Sequence, residues 1–179
     1  KIPNMMHESV AVGKDDCENV QMRKIGKPRE FNFEIKNHAE IAESLGVADF
    51  DASARTSGNG FYYLQGDLAL LNQALIRFVI DKLVSKGFTY VETPLMLRGD
   101  VIKNVTDLND MKNQIYKIDE EDLYLIGTSE HSLIGRYIDT ILLEKNLPMK
   151  FASYSMCFRK EIGSHGIDEK GLYRSHQFN

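Results

Sequence analysis

Tryptophan is absent from this 179-residue chain, proline occurs four times, and only two cysteines are present, Cys17 and Cys157. The two thiols stand far apart without a CxxC, which excludes a disulfide scaffold and leads us to expect a reducing, cytoplasmic compartment. No apolar run approaches the ~20 residues that a spanning helix needs, and the first residues lack a secretion-signal pattern, so no membrane association is expected. The histidines (His7, His38, His131, His165, His176) show no ligand spacing with one another or with a cysteine pair, and no metal site is expected from them. No internal repeat is visible. A strong excess of one charge is also lacking: 26 acidic against 22 basic side chains leave a net charge of −4. A surface coated with phosphate-binding groups would be basic, so any nucleic-acid contact must come from a local patch or from sequence outside this chain.

What is present is ordinary for a globular domain. The hydrophobic fraction is 42% and the charged fraction 27%, and the length suffices for one sizeable domain or a domain plus an arm. Residues 1–36 are polar and irregular, with Pro3, Gly13, Gly26 and Pro28. They read as an arm, with an alternating run near Glu18 to Ile25 as a candidate edge strand; a flexible tail fits the same composition. From Asn37 a short helix is expected, with Glu40 completing a capping box, Ile41 and Leu45 as its apolar positions and Gly46 as its stop.

Phe50 to Gly66 reads as a connection in which Ser57 to Gly60 turn before a strand at Phe61 to Leu64. Asp67 then caps the longest helix, whose Leu68, Leu71, Leu75, Phe78, Val79 and Leu83 recur at helical spacing until Gly87. Phe88 to Met96 is an extended run closed by Pro94, which cannot donate to a ladder. That helix and strand fit either core packing or an oligomer contact. Leu97 to Asn113 is weakly helical. Gln114 to Ile118 and Asp122 to Ile126 read as two short strands around Asp119, Glu120 and Glu121.

Gly127, Thr128, Ser129 and Glu130 open a helix with apolar positions Leu133, Ile134, Tyr137, Ile138, Ile141 and Leu142. Two accounts of Thr128 and Glu130 stand side by side: an N-cap with a first-turn acid, or a hydroxyl and a carboxylate that hold a small cationic ligand. From Phe151 a strand follows in which Ala152, Tyr154, Met156 and Phe158 alternate with Ser153, Ser155, Cys157, Arg159 and Glu161. The second of these faces is small and polar, a candidate ligand floor. A long loop with Gly163, Gly166 and Gly171 leads to a second strand, Leu172 to Phe178, that places Arg174, His176 and Phe178 on one side. Loops of this length in compact domains are often functional. Arg159 and Glu161 project into the same space, a pair suited to a phosphate and an amino group, and Phe178 offers a stacking surface for a heterocycle if it shares their face. A surface ion pair with Phe178 in the core fits the spacing equally well.

Taken together these segments resemble the catalytic domain of the seryl-tRNA synthetases, a family of class II aminoacyl-tRNA synthetases. The Asp67 to Pro94 helix and strand look like class II motif 1 (about 67–96), FRKE (Phe158 to Glu161) with GLYRSHQF (Gly171 to Phe178) like motif 2 (about 151–179), and GTSE (Gly127 to Glu130) like the serine-recognition segment. The resemblance implies an α+β fold, an antiparallel sheet flanked by helices, here incomplete, with residues 1–36 as an arm or linker and 37–179 as part of the catalytic domain. It implies ATP-dependent formation of seryl-adenylate and transfer of the seryl group to tRNA(Ser), with Mg²⁺, by a homodimer. Arg159 would grip the ATP α-phosphate and the serine carboxylate, Glu161 would bind the adenine end, and Phe178 would stack on the base. Lys160 and Ser175 fall within the ATP site without their side chains carrying the contact, and Thr128, Ser129 and Glu130 would form the serine pocket. Ser164 to Lys170 would reach toward ATP or the tRNA end.

The family's N-terminal coiled coil, motif 3 and the acidic residue expected just after Asn179 are not in this sequence, so the segment by itself is expected to be inactive. Two other readings share these motifs: a serine-activating homologue that loads a carrier protein, and a non-catalytic dimeric paralogue.

Overall fold

The structure is a computed structural model that describes residues 5–161 and 173–179. The chain divides into two compact units, Lys1–Ile35 and Lys36–Asn179. In the first, the described residues form one turn of 3-10 helix, Asp16–Glu18, capped by the Asp15 carboxylate. The expected edge strand near Glu18 to Ile25 does not form. Alternation favours a strand only where one face is covered, and here Val20, Met22 and Ile25 are all exposed.

The second unit begins with α1 (His38–Ser44), where Asn37 accepts from the Glu40 N–H and the Glu40 carboxylate accepts from the Asn37 N–H, a complete capping box. Its buried face is not the expected Ile41 and Leu45, both of which are exposed, but Ala39 and Ala42. Small side chains let the helix approach Ala48 and Phe50 closely, with Leu64 and Leu68 packed around them. β1 (Ala48–Asp49) pairs antiparallel with β2 (Tyr63–Leu64). Between them the segment read as a connection contains α2 (Phe50–Ser57), started by the Asp49 carboxylate accepting from the Ala52 N–H.

α3 (Gly66–Ser85) has Gln65 at its N-cap, so Asp67 is a first-turn acid and not the cap. At its far end Gly87 takes φ 82°, and the Gly87 and Phe88 amides close on Val84 and Leu83 carbonyls. That wrap needs a residue free to adopt left-handed backbone. None of the apolar side chains of α3 is fully buried: Leu68 packs against the Ala39 cluster, whereas Leu71, Leu75, Phe78 and Val79 are exposed.

β3 (Thr89–Tyr90) pairs parallel with β6 (Phe151–Ala152), and β4 (Met96–Arg98) pairs antiparallel with β5 (Leu123–Leu125). Pro94 therefore interrupts the extended run and does not end it. α4 (Gly99–Val105) and α5 (Leu108–Gln114) follow, with Ile102 and Ile115 buried against Leu97 and Tyr124. Of the two strands expected around Asp119 to Glu121, the first is a single bridge, Lys117 to Tyr124, because Gln114 still belongs to α5. α6 (Ser129–Gly135) stops well short of Leu142; the chain turns at Asp139, φ 52°, and Ile138, Ile141 and Leu142 stay exposed. The strand expected from Phe151 splits in two: β6 goes to β3, whereas β7 (Cys157–Phe158) pairs antiparallel with β8 (Gln177–Phe178). The Phe158 N–H also donates to Ile126 O at 2.9 Å, so β7 lies beside the end of β5. The loop with Gly163, Gly166 and Gly171, and Ser164 to Lys170 within it, lies outside the described residues. No described helix is long and apolar enough to cross a membrane.

Candidate functional site

The register of β7 and β8 organises the site. Cys157 faces Phe178 and Phe158 faces Gln177; two residues on, the Arg159 N–H donates to His176 O at 3.0 Å, and beyond that Arg174 Nε reaches Glu161 Oε2 at 2.7 Å. Side chains directly across an antiparallel pair share a face. Phe178 therefore stands on the side of Arg159 and Glu161, and the Arg159 guanidinium carbon lies 5.1 Å from its ring centre. Arg159 Nε donates to Gly127 O at 3.0 Å, which brings the motif residues of β7 to the mouth of α6.

At that mouth Thr128 is the N-cap, its hydroxyl accepting from the Glu130 N–H at 3.4 Å. Glu130 is exposed. Ser129 Oγ lies 2.6 Å from Ser155 Oγ, so the polar face read as a floor is tied to the α6 start. Ser155 and Cys157 on that face are buried. Ser153, Ser155, Ser129 and Asn179 line a cavity of about 280 Å³ whose opposite wall is the apolar side of α3. Ser175 is buried and its hydroxyl donates to Gln177 O at 2.8 Å. Lys160 donates its N–H to Gln114 O at 2.6 Å, and its ammonium sits 5.6 Å from the Tyr116 ring centre.

The structure thus brings Arg159, Glu161 and Phe178 together on one face, sets Arg159 against the Thr128 to Glu130 segment, and leaves Ser175 with its side chain occupied. Glu161 does form an ion pair, but with Arg174 and not with the Arg159 of the competing reading. The Arg174 side chain is 47% exposed and that of Glu161 17%, so the arginine end of the pair faces solvent and the carboxylate end is largely covered.

Three residues went unassigned by sequence reasoning. His176 stacks on Phe61 at 5.4 Å between ring centres, and its Nδ1 lies 2.8 Å from the Tyr116 hydroxyl and 3.0 Å from Arg159 O. With a proton, Nδ1 donates to Arg159 O; without one, it accepts from Tyr116. Burial, and secondarily the Glu161 carboxylate, hold the Tyr116 phenol above its ordinary value, so it stays a donor at neutral pH. His131, on α6, is buried with Nδ1 unpaired and lines, with Arg159, Gly127, Thr106 and Gln114, a second chamber of about 170 Å³. Burial first, and the Arg159 charge second, push its pKa below the ordinary histidine value, with Glu130 opposing. The only sequence signal for His131 was its position three residues after Thr128, one helical turn on.

Among the described residues, side chains that could jointly hold a metal ion are Asp15, Asp16 and Cys17, all exposed and in the first unit.

Comparison with known proteins completes the description. Residues 114–179 match the family model for the tRNA synthetase class II core domain (G, H, P, S and T). A serine–tRNA ligase of Methanoregula boonei is 53% identical over 178 residues, which is 99% of this chain and 42% of that protein. The chain thus spans well under half the length of the curated relatives it matches. A crystal structure of seryl-tRNA synthetase from Pyrococcus horikoshii complexed with ATP superposes with TM-score 0.88 at 42% identity, covering 98% of this chain and 44% of that one. A cytoplasmic serine–tRNA ligase from Naegleria fowleri in complex with AMP gives TM-score 0.85 at 34% identity, covering 96% and 42%.

Proposed function

We propose that this chain is part of a seryl-tRNA synthetase and, on its class II α+β catalytic fold, contributes ATP- and serine-binding residues to a site that forms seryl-adenylate and transfers the seryl group to tRNA(Ser). The observation that carries this reading is the shared face of Phe178, Arg159 and Glu161 beside the α6 mouth. A ring, a fixed cation and a carboxylate on one face suit the adenine ring, the α-phosphate and the exocyclic amine of ATP. The two superposed relatives carry ATP and AMP, which supports a nucleotide here.

In this reading the serine carboxylate attacks the α-phosphorus in line and pyrophosphate leaves. Little proton transfer is required, and the work is positioning and charge stabilisation. Arg159 supplies the charge: its Nε is held by Gly127 O, which orients the planar fork toward an anion between β7 and α6. Phe178 presents its face to the base. Glu161 exchanges Arg174 for the adenine end of the nucleotide, Ser175 contributes its backbone alone, and Lys160 lies within the same strand segment. Thr128, Ser129 and Glu130 border the amino acid, with the exposed Glu130 carboxylate for its ammonium group.

Beside Arg159 the described residues offer the implied Mg²⁺ no set of ligands: the carboxylate on that face, Glu161, pairs with Arg174 at 2.7 Å, and no step here runs through the ion. The unburied apolar stripe of α3 fits the homodimer contact that motif 1 implies. A cytoplasmic location fits this activity. Serine-dependent exchange of pyrophosphate into ATP, followed by charging of tRNA(Ser), tests the reading in the protein expressed from its complete reading frame. Exchange with serine but charging only of a carrier protein would move the acceptor, and no exchange would overturn the assignment.

A further inference from the structure

The strand pair that carries Arg159 departs from a regular ladder at one bond. Facing residues of an antiparallel hydrogen-bonded pair exchange two N–H···O bonds. The β7–β8 register runs on from Phe158 facing Gln177 to Arg159 facing His176, and the Arg159 N–H donates to His176 O at 3.0 Å. The return bond is not made, because the His176 N–H turns instead to Gly60 O at 2.8 Å. What faces the Arg159 carbonyl in its place is the His176 side chain, with Nδ1 at 3.0 Å.

A carbonyl oxygen only accepts, so the imidazole tautomer with its proton on Nδ1 satisfies it, and the Tyr116 hydroxyl, 2.8 Å from the same nitrogen, can accept a share of that hydrogen. Two other segments fix the ring. It stacks on Phe61 at 5.4 Å between ring centres and 15° between planes, and the Tyr116 ring meets it edge-on at 6.3 Å. The Arg159–Lys160 peptide is held at its other end too, where the Lys160 N–H donates to Gln114 O at 2.6 Å. Arg159 is thus anchored by its N–H, by its carbonyl and, through Gly127 O, by its Nε. A guanidinium that must meet a phosphate gains from each anchor, since a misplacement of about 1 Å can cost about 10²-fold in rate.

We propose that His176 is a positioning residue for adenylate formation: its Nδ1–H supplies the ladder bond that its backbone N–H gives up to Gly60, and so holds the Arg159 guanidinium at the reacting phosphate. The inference rests on serine activation as proposed above. This role gives His176 no substrate contact of its own, so its loss lowers turnover and leaves substrate binding nearly unchanged.

The test uses steady-state pyrophosphate exchange by the full-length protein, with His176→Phe and His176→Asn. Phenylalanine keeps a ring to stack on Phe61 and has no nitrogen; asparagine loses the ring and returns an amide N–H near the place of Nδ1. The expected result is a kcat about 10- to 100-fold lower in His176→Phe, with KM for ATP and for serine within about threefold, and recovery to within about fivefold of the unmodified protein in His176→Asn. The opposite ranking, or equal losses in both variants, assigns the ring to packing and overturns the inference. So does an unchanged kcat in His176→Phe, whether or not the KM values rise. Absence of serine-dependent exchange in the unmodified protein is a separate result, which overturns the serine reading itself and this inference with it.

Discussion

The guanidinium carbon of Arg159 lies 5.1 Å from the centre of the Phe178 ring, across a strand pair in which Cys157 faces Phe178. One register therefore decides whether the cation and the ring serve the same ligand. A slip of one residue would turn Phe178 to the other face.

From this arrangement, Phe178→Ala should weaken nucleotide binding without abolishing chemistry. Stacking of a base on an aromatic ring is worth about 1–3 kcal/mol, so the KM for ATP should rise about 5- to 150-fold while the KM for serine changes little. Steady-state pyrophosphate exchange with each substrate varied in turn checks this.

Gly60→Ala should disturb the same site from a distance. Gly60 has φ 78° and its carbonyl accepts from the His176 N–H at 2.8 Å, and a Cβ there would run into His176 Cδ2. We expect a loss of about 1 kcal/mol or more in stability, read as a lowered Tm, with a further loss of exchange activity because His176 backs Arg159.

His131 gives stability a pH dependence of definite sign. Its folded pKa is held below the ordinary 6.5 by burial and by Arg159, against Glu130. Below the unfolded value the unfolded chain takes up a proton that the folded chain refuses. The contribution is therefore full above about pH 6.5 and falls as pH drops toward the folded pKa. The slope of Tm against pH over that window should be shallower in His131→Asn than in the unmodified protein.

The α3 stripe predicts association. Leu71, Leu75 and Phe78 are 55%, 55% and 61% exposed, and Leu75→Glu with Phe78→Glu should shift the full-length protein from dimer to monomer in sedimentation velocity. A monomer before substitution would contradict the dimer proposal.

Local signals were the legible ones. The Asn37 and Glu40 capping box and the Gly87 stop depend on residues within one turn, and both form as read. The alternation read over Leu172 to Phe178 left the shared face of Phe178 and Arg159 conditional on strand pairing, and the β7–β8 register, with β8 only Gln177–Phe178, supplies it. Misreadings came where distant partners decide. The Phe151 run splits because Phe151 and Ala152 have a parallel partner in β3, some sixty residues earlier in sequence, and periodicity carries no record of that partner. α2 was missed because its polar DASARTS stretch has little apolar rhythm, although Asp49 marks its start. α6 was read as too long because apolar residues continue to Leu142 while the backbone has already turned. His131 and His176 acquire their surroundings from three or more separate segments, which no local pattern could bring together.

The central claim, that Arg159 provides the charge for adenylate formation, is tested most directly by serine-dependent pyrophosphate exchange in the full-length protein carrying Arg159→Ala. Loss of one preorganised donor at a developing charge typically costs about 10²–10³ in rate, so exchange should fall by at least that factor with the fold intact by circular dichroism. Exchange within a few-fold of the unmodified protein would contradict the account.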